Sequence, residues 1–319
     1  MNNAAFLFPG QGAQYSGMAL DLISSKAVKS LFDTASEIIG KDIKELLESD
    51  ADTLKRTDIS QPAITAANLA AAAYLGELGY KPAACAGFSL GEYAALVCAG
   101  IIDTASCFRL VKARGEAMQK AAETLCERSG GELSGAPGMA AVLGLSPDNA
   151  EKLIAQWSKE GLKYLYAANI NSQKQLVISG TAAALAEAEK RFPEAGARRV
   201  LRLAVNGPFH SPLMTDAVEE YMPVLEAASF RDPVIPIFSN VTGKQIKSGE
   251  EAKKLAALQI TNPVRWTDIE DAIAVTGIEA CFEAGPGKVL QGLWKDTGSV
   301  IPIYAAGTAG DILKIGEKE

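Results

Sequence analysis

Histidine and clustered cysteine are scarce in this sequence, and their scarcity limits the metal chemistry open to it. There is one histidine. The five cysteines are scattered and none forms a Cys-x-x-Cys pair; they are Cys85, Cys98, Cys107, Cys126 and Cys281. They cannot all pair with one another, so we expect reduced thiols. Clustered carboxylates remain able to hold a hard cation, but a zinc site lacks ligands. We therefore predict no structural or catalytic metal.

The sequence also lacks an excess of positive charge and any long apolar run. The chain carries 31 Lys and Arg against 38 Asp and Glu, a formal net charge of -7, which argues against a nucleic-acid partner. No apolar run approaches the length of a membrane span. Residues 1–10 carry no positively charged leader before their apolar stretch. We therefore expect a cytoplasmic protein with no membrane partner.

The order of predicted elements indicates an α/β protein. The 319 residues suffice for one large domain with an insertion, or for two modest domains. Apolar strands at 4–8 and 83–86 alternate with helices, including one over 105–122. The glycine- and serine-rich stretch 129–138 then marks a subdomain boundary.

A second pattern follows this boundary. It reads β-α-β-β-α-β, with strands at 140–143, 164–169, 175–179 and 198–205 and helices at 147–156 and 182–192. That order is typical of the ferredoxin-like split unit. We predict an α/β-hydrolase-like core with a parallel sheet over 1–133 and 206–319, plus an inserted ferredoxin-like subdomain over 134–205.

A candidate nucleophile lies in the motif Gly87-Phe-Ser-Leu-Gly91, between an apolar strand and a helix. In this setting the serine sits on a strained strand-to-helix turn, and the flanking glycines allow a close backbone approach. An ordinary glycine-rich turn is the alternative, which the strand-turn-helix context disfavours. We predict that Ser89 attacks a thioester and that the N–H of Leu90 stabilises the resulting oxyanion.

The other parts of an acyl-transfer site come from two further turns. Residues 9–12 form a glycine-flanked turn after the first strand, where the N–H of Gln11 can point to the same oxyanion. His210 lies between a predicted strand end and a helix that begins with Ser211 and Pro212. As the only histidine, His210 is the candidate general base.

The position of His210 in the chain helps to distinguish a hydrolase from an acyltransferase. In α/β-hydrolases the order is serine, acid, histidine, with the histidine late in the fold. Here further predicted strands follow His210 and a ferredoxin-like insert precedes it. A Ser-His dyad oriented by a backbone carbonyl fits this order better than a hydrolase triad.

Seven motifs, recurring in order over nearly the whole chain, resemble those of the malonyl-CoA:acyl carrier protein transacylases, a family that shares them with acyltransferase domains of polyketide synthases. They are Phe8–Gln14 (FPGQGAQ), Ser60–Pro62 (SQP), Gly87–Glu92 (GFSLGE), Arg114–Gly115 (RG), Gly207–His210 (GPFH), Asn262–Pro263 (NP) and Gly285–Lys288 (GPGK).

The resemblance implies a ping-pong cycle in which Ser89 takes malonyl from coenzyme A and passes it to the phosphopantetheine thiol of acyl carrier protein. Malonyl-CoA and acyl carrier protein are then the partners, and no cofactor is permanently bound beyond the coenzyme A thioester as substrate. The resemblance also implies that the carbonyl of Gln259 orients His210, and that Gln61 lines the pocket. The length of the chain is that of a discrete enzyme, which favours fatty acid synthesis over polyketide synthesis. We also expect a monomer.

One position departs from the family pattern. The family usually has histidine directly before the nucleophile, and this chain has Phe88. No second imidazole is then available to replace His210. The pocket wall also differs from that of the family at this position, and the selectivity for the acyl group depends on that wall. Phe209, in the GPFH form of malonyl-selective relatives, is expected to crowd the α-carbon and disfavour methylmalonyl groups.

Arg114 is the candidate partner of the malonyl carboxylate, which favours a bidentate guanidinium. A helical wheel at about 100° per residue places it among the apolar side chains Cys107, Val111, Met118 and Ala121. No acidic residue shares that face of the helix. A cation facing inward needs an anion, so we predict that the substrate supplies it.

Acyl carrier proteins are acidic as a class, and docking on a net-negative enzyme needs a local basic patch near the mouth between the two subdomains. The candidates are Arg198, Arg199, Lys288 and Lys295. A serine esterase or thioesterase, with water as acceptor, and a carrier-docking module without turnover are the competing functions.

Overall fold

Two five-stranded sheets organise the computed structural model, which describes residues 3–129, 135–205 and 207–316. Its strands are β1 (Ala4–Phe8), β2 (Pro82–Gly87), β3 (Gly138–Leu143), β4 (Leu165–Ser172), β5 (Gln175–Gly180), β6 (Arg199–Arg202), β7 (Ile237–Phe238), β8 (Val264–Arg265), β9 (Ala280–Glu283) and β10 (Ile303–Ala305).

The helices connect and cover these strands. They are α1 (Lys26–Ile39), α2 (Ile43–Leu47), α3 (Thr57–Glu77), α4 (Gly91–Cys98), α5 (Thr104–Arg128), α6 (Pro147–Lys159), α7 (Ala182–Glu194), α8 (Thr215–Ala227), α9 (Gly249–Leu258), α10 (Trp266–Ala274), α11 (Val289–Asp296) and α12 (Ala309–Gly316). Among the residues described, none of these helices has the length and apolar character needed to cross a bilayer.

The first sheet is parallel throughout, in the order β10-β9-β1-β2-β7. Its central strand β1 is apolar and buried along its whole length. Ala4, Phe6 and Phe8 enter one core cluster, whereas Ala5 and Leu7 enter another on the opposite face. Side chains of a strand alternate between faces, and parallel sheets are covered on both. The predicted α/β core with a parallel sheet is confirmed.

The second sheet has the order β6-β3-β5-β4-β8. Strands β3 to β6 pair antiparallel with one another and, with α6 and α7, form the predicted β-α-β-β-α-β unit. Trp157 of α6 and Phe192 of α7 stack edge to face, with ring centroids 4.8 Å apart, in the core under this sheet. The ferredoxin-like unit is therefore confirmed as part of the fold class.

The limits of the subdomains stay a prediction. Both predicted boundaries adjoin residues 130–134 and 206, which lie outside the described residues. Strand β8 comes from after the predicted insert and pairs parallel with β4. It therefore joins the chain segment after the insert directly to the second sheet.

Several elements differ in length from the sequence prediction, among them α5 and β6. Helix α5 continues to Arg128, beyond the expected end at 122. Strand β6 ends at Arg202 rather than 205, although the N–H of Leu203 still donates to the carbonyl of Met139 on β3 at 3.0 Å. Leu203 and Val205, which continue the apolar run beyond the strand, line a cleft between the two sheets.

Glycines bring the start of α4 onto the end of β1. A β-carbon on Gly91 would lie 2.0 Å from the carbonyl oxygen of Phe8, and one on Gly87 would lie 1.9 Å from the carbonyl carbon of Gly91. Only glycine permits these approaches. The turns that follow the neighbouring strands β1 and β2 therefore meet at one edge of the sheet, where ligands of parallel α/β sheets bind.

We expect Gly91→Ala to destabilise the fold by about 1–3 kcal/mol or more, because overpacking at a rigid backbone contact forces the main chain to move. Gly76, near the end of α3, provides a matched control, since a β-carbon there meets nothing within 4 Å. Gly76→Ala should leave stability unchanged or raise it by up to about 1 kcal/mol. Urea unfolding measures both changes, and wild-type stability in Gly91→Ala would contradict the packing described.

Candidate active site

Ser89, which follows β2, and His210, which lies between β6 and α8, meet at this edge. Ser89 Oγ lies 2.7 Å from His210 Nε2, and His210 Nδ1 lies 2.8 Å from the carbonyl oxygen of Gln259. A carbonyl oxygen only accepts, so Nδ1 carries the proton and donates it to Gln259. In the neutral ring, Nε2 then has a free lone pair and accepts from the serine hydroxyl. The arrangement is a dyad whose orienting group is a backbone carbonyl.

Both members of this pair have unusual backbone conformations. Ser89 has φ 49° and His210 has φ 57°, two of the four non-glycine residues with positive φ in the described chain. Such conformations are strained and persist only where the surroundings impose them. For His210, one constraint is a hydrogen bond from its own N–H to the carbonyl of Ile260, at 3.1 Å.

Two backbone N–H groups beside Ser89 are without an acceptor among the described residues, those of Gln11 and Leu90. Both residues line the same cavity as Ser89. Gly10 holds their turns close together, since a β-carbon there would lie 2.4 Å from the carbonyl oxygen of Phe88. Two free donors on residues that line the cavity of Ser89 suit an oxyanion.

The cavity that contains the reacting pair has a volume of about 190 Å³. Its wall brings together seven of the residues predicted from sequence, namely Gln11, Phe88, Ser89, Leu90, Arg114, Phe209 and His210. A larger cavity of about 560 Å³ adjoins it and shares Met139, Leu203 and Val205, but it does not reach Ser89. The chemistry therefore belongs to the smaller cavity.

Arg114 is almost fully buried, with 1% of its surface exposed. Its Nη2 donates to the side-chain oxygen of Gln259 at 2.8 Å, and its guanidinium carbon lies 5.6 Å from the centroid of the Tyr93 ring. Its Nε has no hydrogen-bond partner among the residues described. A buried, incompletely bonded cation in the wall of the cavity is suited to bind an anion.

Arg114 also has an acidic neighbour that the sequence prediction, made from one helix face, did not include. Glu92, on the first turn of α4, is buried and interacts electrostatically with the guanidinium. Its hydrogen bonds are with the Asn240 N–H, at 2.6 Å, and the Gln259 side chain. A helical wheel of α5 cannot show a carboxylate contributed by another helix.

Burial sets the ionisation of both titratable groups beside Arg114. It lowers the pKa of His210 to about 4, assisted by the positive charge of Arg114 and opposed by the hydrogen bond to the Gln259 carbonyl. The imidazole is therefore neutral at pH 7 and able to accept a proton. Burial raises the pKa of Glu92 to about 7, opposed by its hydrogen bonds and by Arg114.

The remaining predicted pocket residues differ in position. Phe88 packs edge to face on Trp266, with centroids 5.4 Å apart, while also reaching the cavity. Gln61 lies behind the wall, where its Nε2 is 3.3 Å from the sulfur of Met118. Met118, rather than Gln61, faces the cavity.

The four predicted docking cations lie on two different parts of the fold. Lys288 and Lys295 are exposed at the two ends of α11, whose Val289 and Leu293 line the cavity. Arg199 of the edge strand β6 pairs with Leu143 of β3, and Leu143 pairs on its other side with the cavity-lining Gln175. Two strand spacings, about 10 Å, therefore separate Arg199 from Gln175, and Arg198 directly precedes Arg199.

Two buried polar residues at the site were missed by the sequence prediction of roles, Glu92 and Asn240. The side-chain oxygen of Asn240 accepts from the N–H of Ser89 at 2.6 Å. Glu92 lies within a quoted motif, but nothing local indicates its partner, and Asn240 is 151 residues from Ser89. Among the described residues, no group of three or more His, Cys, Asp or Glu could hold a metal ion.

Comparison with known proteins gives one consistent result. Residues 5–314 match the family model described as acyl transferase domain. The malonyl CoA-acyl carrier protein transacylase of Escherichia coli strain K12 is 38% identical over 298 residues, covering 92% of this chain and 93% of the relative.

Two solved structures are similar over the whole chain. An acyl carrier protein S-malonyltransferase from Vibrio cholerae has a TM-score of 0.89 at 35% identity, covering 99% of this chain and all of that chain. A malonyl-transacylase in complex with its type II PKS acyl-carrier protein has a TM-score of 0.89 at 34% identity, covering 100% of each chain.

The geometry predicts that a serine-directed fluorophosphonate labels Ser89 with the assistance of His210. His210→Ala should slow labelling by about 10²- to 10⁴-fold, the range for a positioned general base. In the wild type the rate should be level at neutral pH and fall about tenfold per pH unit below the His210 pKa of about 4, since protonation there removes the lone pair of Nε2.

Short pH pulses followed by mass spectrometry measure this profile, with Ser89→Ala as the unlabelled control. Near-normal labelling of folded His210→Ala would show that another group takes the proton. A midpoint at the ordinary histidine pKa of about 6.5 would contradict the effect of burial.

Proposed function

Since the chain belongs to the acyl transferase domain family, we propose that it transfers malonyl groups from coenzyme A to the phosphopantetheine thiol of acyl carrier protein. Ser89 carries the malonyl group between donor and acceptor, which makes the cycle ping-pong. The coenzyme A thioester is a substrate, and the cycle uses no permanently bound cofactor. The relatives named as malonyl transacylases support this activity.

The acylation step follows from the contacts of the dyad. Ser89 Oγ attacks the thioester carbonyl as its proton moves to Nε2 of His210, and the Gln259 carbonyl accepts a stronger hydrogen bond from the resulting imidazolium. The N–H groups of Gln11 and Leu90 donate to the tetrahedral oxyanion. His210 returns the proton to the leaving sulfur, and the same steps run in reverse with the carrier thiol.

The assignment of malonyl as the acyl group rests on the environment of Arg114. Arg114, a buried cation with an unpartnered Nε, lies in the wall of the small cavity that contains the dyad. A malonyl thioester presents a carboxylate at the end opposite its reacting carbonyl, whereas an acetyl thioester presents a methyl group. A bidentate guanidinium bond is the favoured way to bind such a carboxylate in a dry site.

The aromatic side chains of the cavity are proposed to restrict substitution at the α-carbon of the acyl group. Phe209 is 5% exposed and lines the cavity next to His210. An additional methyl group there is worth about 1–3 kcal/mol of discrimination. Phe88, held by Trp266, forms another part of the wall.

Carrier docking is proposed at the mouth of the cavity beside α11. Lys288 and Lys295 flank the cavity-lining side chains of that helix and suit an acidic carrier protein. Arg198 and Arg199 lie at the β6 edge of the second sheet, so they reach a carrier only if it extends across that sheet from the cavity. A fatty acid pathway, a monomeric state and a cytoplasmic location stay predictions.

We expect malonyl-CoA to acylate Ser89 and the malonyl group to move from there to an acyl carrier protein. Mass spectrometry of the intact protein, followed by peptide mapping, locates the adduct, and Ser89→Ala should show neither adduct nor transfer. Free malonate as the main product in the presence of carrier would instead identify a thioesterase. An adduct mapped to a cysteine would overturn the proposed nucleophile.

Arg114→Ala should reduce malonyl transfer far more than acetyl transfer. Loss of one partner of a buried, hydrogen-bonded charge pair costs about 2–5 kcal/mol, and each 1.4 kcal/mol is about tenfold. Malonyl kcat/KM should therefore fall by at least ~30-fold. Acetyl transfer should hold or rise, since its methyl group gains nothing from a desolvated cation.

Two further variants control for this result. Arg114→Lys should recover part of the malonyl activity, because a point charge lacks the planar fork of guanidinium. Arg109→Ala removes an exposed arginine from the same helix and should leave both activities unchanged. Equal losses of malonyl and acetyl transfer in folded Arg114→Ala would make Arg114 a structural residue.

A further inference from the structure

Asn240 is a fully buried asparagine whose side chain spans the turn that carries the nucleophile. It follows β7, the neighbour of β2 at the edge of the first sheet. Its Oδ1 accepts from the N–H of Ser89 at 2.6 Å, and its Nδ2 donates to the carbonyl of Gly87 at 2.6 Å. One side chain thus bonds to the main chain on both sides of Phe88.

The main chain of Asn240 is fixed as well. Its N–H donates to the buried carboxylate of Glu92 at 2.6 Å, and its carbonyl accepts from the N–H of Arg265 at 2.8 Å. Both hydrogen-bonding groups of the side chain and both of the main chain are therefore engaged. Buried networks that are satisfied in this way are rigid.

The turn held by Asn240 contains one of the two strained residues of the dyad. Ser89 has φ 49°, a left-handed conformation that is costly for a serine and persists only where the surroundings impose it. Hydrogen bonds to the N–H of Ser89 and to the carbonyl of Gly87 favour this turn over relaxed alternatives. Because the N–H of Ser89 already donates to Asn240, it is not free to bind an oxyanion. The N–H of Leu90 is therefore the donor that this turn can offer.

We propose that Asn240 is a positioning residue for acyl transfer: by bridging the Ser89 N–H and the Gly87 carbonyl, it holds Ser89 Oγ toward His210 Nε2 and the Leu90 N–H toward the oxyanion. This inference rests on the function proposed above, because it concerns the same acylation step. Asn240 does not line the cavity. Its effect therefore falls on the rate of the chemical step and not on the binding of either acyl group.

Asn240→Ala should lower the single-turnover rate of Ser89 acylation by about 10²-fold, the cost of a displacement on the order of 1 Å in a reacting group. The KM of malonyl-CoA should stay within about threefold of the wild-type value, since no contact with the acyl group is lost. Malonyl and acetyl transfer should fall by equal factors. That equality separates Asn240 from Arg114, whose removal affects malonyl selectively.

Ser239→Ala is the matched control from the same loop. Ser239 is as buried as Asn240, and its hydroxyl accepts from the N–H of Val241 at 3.1 Å without contacting the nucleophile turn. Losing that bond should leave the acylation rate unchanged. A comparable loss of rate in Ser239→Ala would mean that any disturbance of the loop is sufficient, which would overturn a specific role for Asn240.

Asn240→Asp gives a pH signature that a merely structural role would not produce in a folded enzyme. A protonated aspartic acid accepts through its carbonyl oxygen and donates through its hydroxyl, as asparagine does, whereas the ionised form cannot donate to the Gly87 carbonyl. Burial and the facing Glu92 carboxylate favour the protonated form. The ratio of variant to wild-type acylation rate should therefore rise at least ~10-fold as pH falls from about 8 to about 5.5.

Other charged groups near Asn240 are common to both proteins, so their direct effects on the rate cancel in this ratio, and only the coupling of Glu92 to the new carboxyl group is particular to the variant. Glu92 faces it from α4, Arg114 lies beyond Glu92 on α5, and His210 is reached through Ser89. Arg265 pairs its side chain with Asp268 at 2.6 Å. Circular dichroism and thermal unfolding at each pH establish that the variants compared are folded.

The outcomes separate this inference from the proposed function. Failure of malonyl-CoA to label wild-type Ser89 would overturn the function itself. Normal wild-type labelling with an undiminished rate in folded Asn240→Ala would overturn the role of Asn240 alone. If Asn240→Ala does not fold, Asn240→Asp decides: a variant to wild-type ratio that is flat across pH overturns the inference, and a rising ratio supports it.

Discussion

Gln259 joins the three residues on which the proposed chemistry depends. Its carbonyl accepts from His210, its side-chain oxygen accepts from Arg114, and its side-chain nitrogen donates to the carbonyl of Ser89 at 3.0 Å. One residue at the end of α9 thereby fixes the tautomer of the base, the position of the cation and part of the nucleophile's backbone. Displacing Gln259 would misalign all three together.

A carbonyl in place of the carboxylate of a triad suits a site that contains Arg114. A carboxylate beside His210 would form an alternative ion pair with the buried guanidinium and compete with an anionic substrate. The carbonyl orients the imidazole without adding a charge, and the pKa of His210 stays low, about 4. An anion that binds Arg114 offsets its positive charge, which raises the pKa of His210 and strengthens the base when substrate is present.

Residues of the site with a local signal were predictable from sequence. Ser89 lies in a motif with a strand before it and a helix after it, and Arg114 interrupts an apolar helix face. Gln259, which follows the last residue of a helix, has no such local signal. Its role was indicated only by the resemblance to the family. Asn240 and Glu92 act through bonds between residues about 150 positions apart, which no local pattern encodes. The two-residue strand β8 is likewise too short to show a period.

The separation of the two proposed oxyanion donors, the N–H groups of Gln11 and Leu90, is set by backbone contacts rather than by side chains. Gly10 touches the carbonyl of Phe88, and Gly91 touches the carbonyl of Phe8, so the turns after β1 and β2 are locked edge to edge. The Phe88 side chain packs on Trp266 and lines the cavity. Because these backbone contacts do not depend on that side chain, we expect that phenylalanine can replace the histidine usual at this position in the family without displacing either N–H. The substitution should therefore alter the wall proposed to meet the acyl group, and leave intact the part of the site proposed to stabilise the transition state.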